Sequence, residues 1–235
     1  MITFSHVTKN YANQQNALRD LNFHIHKGEM IFIQGHSGAG KSTLLKLIAR
    51  IEPASEGEIV VDGLNINKLS SRQIPFYRRR LGIIFQNPVL LSAHSAYDNV
   101  AIPLIIAGFD RADIPKRVKA ALDRVGLLGK EKSLPHTLSG GEQQRLGIAR
   151  AIVHKPIILL ADEPTGNLDP ELSAEIMQLF TRFNDIGVTV IIATHDQALL
   201  KNGLKNSACR KIEIKHGQMI FEQPSTQTEG HLEHA

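Results

Sequence analysis

Over the first 25 residues the apolar positions fall in short alternating stretches. Phe4, Val7 and Tyr11 come first, then Leu18, Leu21, Phe23 and Ile25, a pattern that predicts a β-hairpin. After a turn at Lys27-Gly28-Glu29, the unbroken apolar run Met30-Ile31-Phe32-Ile33 reads as a buried strand leading into a glycine loop. Leu44, Leu45, Leu47 and Ile48 then take up helical spacing. Residues 53–57 form a loop, residues 58–63 a strand ending in a tight turn, and residues 81–85 a further buried strand running into Gln86. From 87 to 155 the texture is helical. Ile114, Val118, Leu122 and Val125 recur every three or four residues, with Asp110 or Asp113 as N-cap, and Pro156 stops a helix that starts at Gly140. Residues 157–161 predict a strand ending at Asp162-Glu163. Asp169-Pro170 opens a helix carrying Leu172, Ile176, Leu179 and Phe183, and a β-branched strand at 188–193 ends at Thr194-His195. Strands alternating with helices imply an α/β domain with a mostly parallel sheet, into which the helical middle is inserted.

Composition narrows this little. With 235 residues, 42% hydrophobic and 21% charged, the chain suits one domain with a sizeable core. A net charge of +4 and a pI near 9.2 suit a well-solvated surface first, and nucleic acid or an anionic membrane surface second. The densest basic run, Arg78-Arg79-Arg80, is short and has no aromatic ladder beside it, so no nucleic-acid partner is expected. Cys209 is the only cysteine, which excludes a disulfide within the chain. The first residues do not read as a signal peptide. The longest apolar stretch, 100–109, contains Pro103 and Gly108 and is about half of the ~20 residues a membrane span needs. Any work at a membrane is therefore expected to need a second, spanning chain.

The chemistry begins at Gly35-His36-Ser37-Gly38-Ala39-Gly40-Lys41-Ser42-Thr43, which matches the phosphate-binding P-loop G-x-x-x-x-G-K-[ST]. It lies between a predicted strand and a predicted helix, the context that its backbone N–H cradle requires. Lys41 would reach the β- and γ-phosphates and Ser42 would coordinate Mg²⁺. Asp162 and Glu163 end a strand, where side chains emerge at the ligand edge of an α/β sheet. Asp162 suits the Mg²⁺ shell, and Glu163 is placed to polarise a water for attack on the γ-phosphate. A second anion-binding sequence, Leu138-Ser139-Gly140-Gly141-Glu142-Gln143, opens a helix.

In this order the motifs resemble those of the ATP-binding-cassette (ABC) ATPases, over nearly the whole chain. The resemblance implies a P-loop NTPase fold with a RecA-like mixed sheet core, an N-terminal antiparallel β subdomain and an inserted α-helical subdomain. It divides the chain into an ATP-binding domain, 1–222, and a polar tail, 223–235. Within the domain, 1–86 and 156–222 would form the nucleotide-binding core with the β subdomain, and 87–155 the helical subdomain with the signature. It implies that Tyr11 stacks on adenine, that Gln86 contacts Mg²⁺ and that His195 contacts the γ-phosphate. Asn167-Leu168-Asp169 resembles the D-loop, with Asp169 at the nucleotide. Ser139, Gly140 and Gly141 are the signature residues, and they would close on ATP held by the P-loop of a second chain in a head-to-tail homodimer. Gly35-His36-Ser37-Gly38-Ala39-Gly40-Lys41, Phe76-Tyr77-Arg78-Arg79-Arg80 and the stretch 97–108 resemble the cell-division members of the family. That likeness implies an integral membrane partner at the inner face of the cell membrane, docking near 86–103 with Tyr97 and residues 100–104 as contacts, and a mechanical signal that activates peptidoglycan hydrolysis. Two alternatives are an ATPase of a lipoprotein-release or macrolide-type exporter and an ATP-switched scaffold joining the partner to the division cytoskeleton.

Overall fold

The period-2 burial of the central strands sets the architecture. In the computed structural model, which describes residues 1–12, 14–166, 168–196 and 209–223, β3 (Met30–Gln34), β7 (Ile158–Asp162) and β8 (Thr189–Thr194) lie side by side and parallel. Met30 and Phe32, Leu159 and Ala161, and Val190 and Ile192 pack into one hydrophobic cluster. Ile31 and Ile33, Ile158 and Leu160, and Ile191 and Ala193 pack into another. Each strand therefore feeds both faces of the sheet, which is why these sequences read as unbroken apolar runs.

The sheet has six strands in the order β10-β9-β3-β8-β7-β6. β6 (Leu81–Ile84) and β9 (Cys209–Lys215) extend the parallel set, and β10 (Gln218–Gln223) pairs antiparallel to β9 at the edge. A separate antiparallel sheet joins β2 (Gln14–Ile25), β1 (Ile2–Tyr11), β4 (Glu56–Val61) and β5 (Leu64–Asn65). The Asp62-Gly63 turn between β4 and β5 has φ of 50° and 77°, the left-handed pair that a two-residue hairpin demands. This sheet and α1 (Lys41–Ile48) cover one face of the six-stranded sheet. The other face is covered by α3 (Ala96–Ala107), α4 (Ile114–Arg124), α5 (Gly140–Ile152) and α6 (Pro170–Asp185). Helices α3 to α5 fall between β6 and β7 in the chain. No helix among the described residues is long and apolar enough to cross a membrane. Asn167 and residues 224–235, hence nearly all of the expected tail, lie outside the described residues.

Two expectations from the sequence change. Asp113 precedes α4 but makes no cap, because its backbone is already helical at φ −82° and ψ −25° and an N-cap side chain needs the extended conformation to reach back. Val100, Ala101 and Leu104 of α3 are almost fully buried in the helical cluster. They are packing residues and not a partner surface; the exposed apolar side chains nearby are Val89, Leu91, Ile105 and Ile106.

The short helix α2 (Ile74–Arg78) has a local purpose that the sequence does not announce. Its Tyr77 hydroxyl donates to the Ile48 carbonyl at 2.5 Å, and the Arg78 guanidinium donates to the carbonyls of Ala49 and Arg50. These are the free carbonyls at the end of α1. Of the remaining basic run, Arg80 pairs with Asp62 and Arg79 lies over the Phe76 ring. Burial also pushes the Tyr77 phenol well above its ordinary pKa. Tyr77→Phe strands a buried carbonyl, so it is expected to cost about 1–3 kcal/mol. Thermal unfolding should register a midpoint several degrees lower with catalytic constants unchanged, and an unshifted midpoint would deny α2 this role.

Candidate functional site

Four parallel strands end at the same edge of the sheet. Gln34 of β3 pairs with Thr194 of β8, Asp162 of β7 with Ala193, and Ile84 of β6 with Ala161. The residues that follow them, Gly35, His195, Glu163 and Gln86, are therefore presented together, the usual place for a ligand in an open α/β sheet.

The loop from Gly35 to Gly40 leads from β3 into α1. Gly40 occupies the N-cap of α1 at φ 110°, and a Cβ there would come within 2.7 Å of the Ala17 carbonyl and of Leu18. Only glycine fits both constraints. No side chain caps the helix, so its first N–H groups stay available to an anion, with the positive end of the dipole behind them. A cavity of about 130 Å³ lies over this end, lined by Ala17, Gly38, Ala39, Gly40, Lys41, Ser42 and Thr43. Lys41 is buried, and its ammonium donates to the carbonyls of Gly35 (2.8 Å) and His36 (3.2 Å). His36 and Ser37 are exposed on the loop, and the His36 ring packs 5.3 Å from that of His216.

Glu163 sits in the left-handed region at φ 46°, a conformation that for a non-glycine residue must be held by its surroundings. The holding contacts are visible. Its N–H donates to the Ala193 carbonyl, and its carboxylate accepts from the Thr194 hydroxyl (3.2 Å), the His195 N–H (3.4 Å) and His195 Nδ1 (2.7 Å). Lys41 Nζ lies 3.7 Å from the same carboxylate. Lys41, Glu163 and His195 thus form one polar cluster beside the phosphate loop, centred on the Glu163 carboxylate. Thr194, which is 1% exposed, belongs to no motif and was not anticipated.

Asp162 stands next to this cluster, with the Ser42 hydroxyl close enough to its carboxyl to favour the ionised form. Its Oδ1 is buried and has no partner. Burial, more than the neighbouring Glu163 charge, raises the Asp162 pKa, against the opposing pull of Ser42, Lys41 and Lys46. The folded chain therefore holds this proton more tightly than the unfolded chain does. Ionisation costs native stability as pH rises through the ordinary Asp range toward the folded pKa, and the whole cost remains at neutral pH. Asp162→Asn removes it. Without nucleotide and Mg²⁺ the variant is expected to melt above the parent in a pH 7.5 thermal scan, yet to gain less from Mg²⁺ and ATP together. A lower melting temperature in their absence would contradict this account of the buried carboxyl.

The signature residues lie elsewhere. Ser139 is the N-cap of α5, accepting from the Glu142 N–H at 3.2 Å, while the Glu142 carboxylate accepts from the Ser139 N–H at 2.9 Å. Glu142, the residue inserted before Gln143, thus closes a capping box, a signal present in the sequence as S-x-x-E. Hydrogen bonding from Ser139 and from Lys130 holds its carboxyl below the usual range. Ser139 and Gly140 are exposed, Gly141 is half-buried, and none of the three lines the P-loop cavity. The buried Gln144 amide donates to the Phe85 carbonyl, tying the signature helix to the residue before the exposed Gln86. Asp169 caps α6 through the Leu172 N–H and is exposed. Tyr11 ends β1 half-buried, and the buried Lys9 ammonium sits 4.6 Å from its ring centre, held by Glu52 and the Pro53 carbonyl. Lys9 was likewise not singled out from the sequence.

A protein-family profile described as ABC transporter matches residues 18–166. The chain belongs to that family. The cell division ATP-binding protein FtsE of Escherichia coli K12 is 59% identical over 200 residues, which cover 85% of this chain and 90% of the relative. FtsE of Mycobacterium tuberculosis is 44% identical, covering 95% and 96%. Among solved structures, the dimeric post-hydrolysis state of the ATP-binding cassette MJ0796 bound to ADP and phosphate matches with a TM-score of 0.88 at 35% identity, over 95% of this chain and 98% of that one. CbiO1 of Clostridium perfringens matches with a TM-score of 0.83 at 33% identity, over 95% and 88%. The chain is an ABC ATPase that binds and hydrolyses ATP, and it groups with cassettes of cell division.

Proposed function

We propose that this ABC ATPase works as a head-to-tail homodimer at the inner face of the cell membrane, bound there to the integral membrane protein FtsX. ATP-driven closure would pass a mechanical signal through that partner to peptidoglycan hydrolysis outside. One observation carries the dimer: the anion-binding end of α5 is exposed and takes no part in lining the P-loop cavity of its own chain, so Ser139, Gly140 and Gly141 need a phosphate held by a second chain. The cell-division relatives support the choice of process.

In the proposed site, the backbone of residues 35–43 and the Lys41 ammonium hold the phosphates. Tyr11, braced from beneath by Lys9, offers its ring to adenine, and Asp169 lies at the facing chain. Glu163 takes the proton of the attacking water, and His195, hydrogen-bonded to Glu163 through Nδ1, is free to turn its Nε2 to the γ-phosphate. The residues at hand also fit Mg²⁺: Ser42 and the partnerless buried Oδ1 of Asp162 are hard oxygen donors, Gln86 follows β6 at the same edge of the sheet, and Mg²⁺ needs only one or two carboxylates besides phosphate. When bound, it supplies charge neutralisation. Val89 and Leu91, exposed next to Gln86, are the docking surface proposed for the partner.

Affinity purification of the tagged full chain from solubilised native membranes is expected to recover FtsX, with ATPase turnover several-fold higher in the complex. Recovery of exporter subunits instead would replace the division reading with the exporter reading, and turnover unchanged by the partner would favour the scaffold.

A further inference from the structure

The helical segment contains a second cavity, of about 350 Å³, that shares no lining residue with the P-loop cavity. It lies between α4 and the C-terminal end of α5. Lys116, Arg117 and Arg124 of α4 and Lys155 just beyond α5 line it, against a single carboxylate, Asp113, and its apolar floor is Ile152 and Val153. Among the described residues none of the four cations is paired with a carboxylate. Rings position two of them instead: Arg117 lies 4.6 Å from the Phe109 ring centre and Arg124 lies 5.9 Å from that of Phe183. The Arg117 Nε is buried and donates to nothing.

An amphipathic surface helix ordinarily carries charges, and cations near a helix C-terminus complement its dipole. That accounts for Arg124 and Lys155. It does not account for Lys116 and Arg117, which sit at the start of α4, whose first turn has no acidic residue, where the dipole disfavours positive charge. Lys155 also takes a left-handed φ of 57°, although glycine or asparagine suits that position after a helix better. Local energetics thus work against a cluster that the cavity brings together.

We propose that this cavity binds a phosphate-bearing anion, supplied either as a phospholipid headgroup or as a soluble phosphorylated molecule. Guanidinium forks fixed by aromatic rings match phosphate oxygens. The volume falls within the roughly 300–1,000 Å³ of small-molecule sites, and the apolar floor takes the organic part. Helix α5 runs about 20 Å from this cavity to Ser139, so the occupant would bear on the rigid element that carries the signature. The site is additional to the proposed division role and does not depend on it.

Inorganic pyrophosphate titrated calorimetrically into the full chain, with the P-loop saturated by ADP, is expected to bind once per chain. The double variant Arg117→Gln/Arg124→Gln should weaken it by about tenfold, and the double variant Lys116→Gln/Lys155→Gln by about threefold, each with an unchanged KM for ATP. The lysine pair lies at the surface and guards against misfolding as the cause. Flotation with phosphatidylcholine vesicles, with and without phosphatidylglycerol, identifies the source. Capture by the anionic vesicles alone, lost in both variants, assigns a lipid headgroup; pyrophosphate binding without capture assigns a soluble ligand. No binding beyond ADP, or equal affinity in parent and both variants, overturns the proposal.

Discussion

Glu163→Gln is expected to lower ATP turnover by about 10²–10⁴-fold, the usual loss when a positioned general base is removed, while ATP stays bound and the dimer stays closed. The amide is nearly the size of the carboxylate and still accepts from the Thr194 hydroxyl and the His195 N–H, the contacts that hold residue 163 in its left-handed conformation. What it lacks is a base for the attacking water. Binding should not suffer, since Lys41 loses one of its three anchors (3.7 Å to Glu163) and keeps the two carbonyls. Single-turnover phosphate release measures the loss, and light scattering on the eluting protein measures the dimer. Near wild-type release by the variant would remove Glu163 from the role of base.

Ser139→Arg is expected to abolish both ATP-dependent dimerisation and hydrolysis, with ATP binding to the isolated chain intact. Loss of the cap alone costs the helix about 1 kcal/mol, which α5 can absorb because Leu146, Ile148, Ala149 and Ile152 are buried on more than one side of it. The functional loss has a different origin. The exposed N–H groups of α5 would be covered by a long side chain at the point where a neighbour's phosphate has to approach. Fluorescent-nucleotide binding and sedimentation velocity separate the two effects, and a variant that still dimerises with ATP would refute the facing arrangement.

Much of the fold was legible because its determinants are local. β3, β7 and β8 are buried on both faces and so appear as apolar runs, and the P-loop is a contiguous stretch with glycine wherever the backbone needs it. The capping box at Ser139 and Glu142 is equally local. Other features depend on tertiary contact. Helix α3 is apolar nearly all round, so its sequence does not choose an inner side, and only packing turns Val100 and Leu104 in and Ile105 and Ile106 out. Thr194 matters through a hydrogen bond to a residue 31 positions earlier, and Tyr77 through a carbonyl 29 positions earlier. Lys9 carries no motif and gains its place from Glu52 across the β subdomain. Hydrophobic patterning does not encode contacts of this kind.

The central claim is that two chains build each ATP site, one giving Lys41 and the other Ser139. Mixing a Lys41→Ala chain with a Ser139→Arg chain tests it most directly. Neither hydrolyses ATP alone, but a mixed dimer contains one site in which an intact P-loop faces an intact signature. The mixture is expected to regain ATP hydrolysis and to form a dimer on adding ATP. If it stays as inactive and as monomeric as its two components, the site lies within one chain and the account fails.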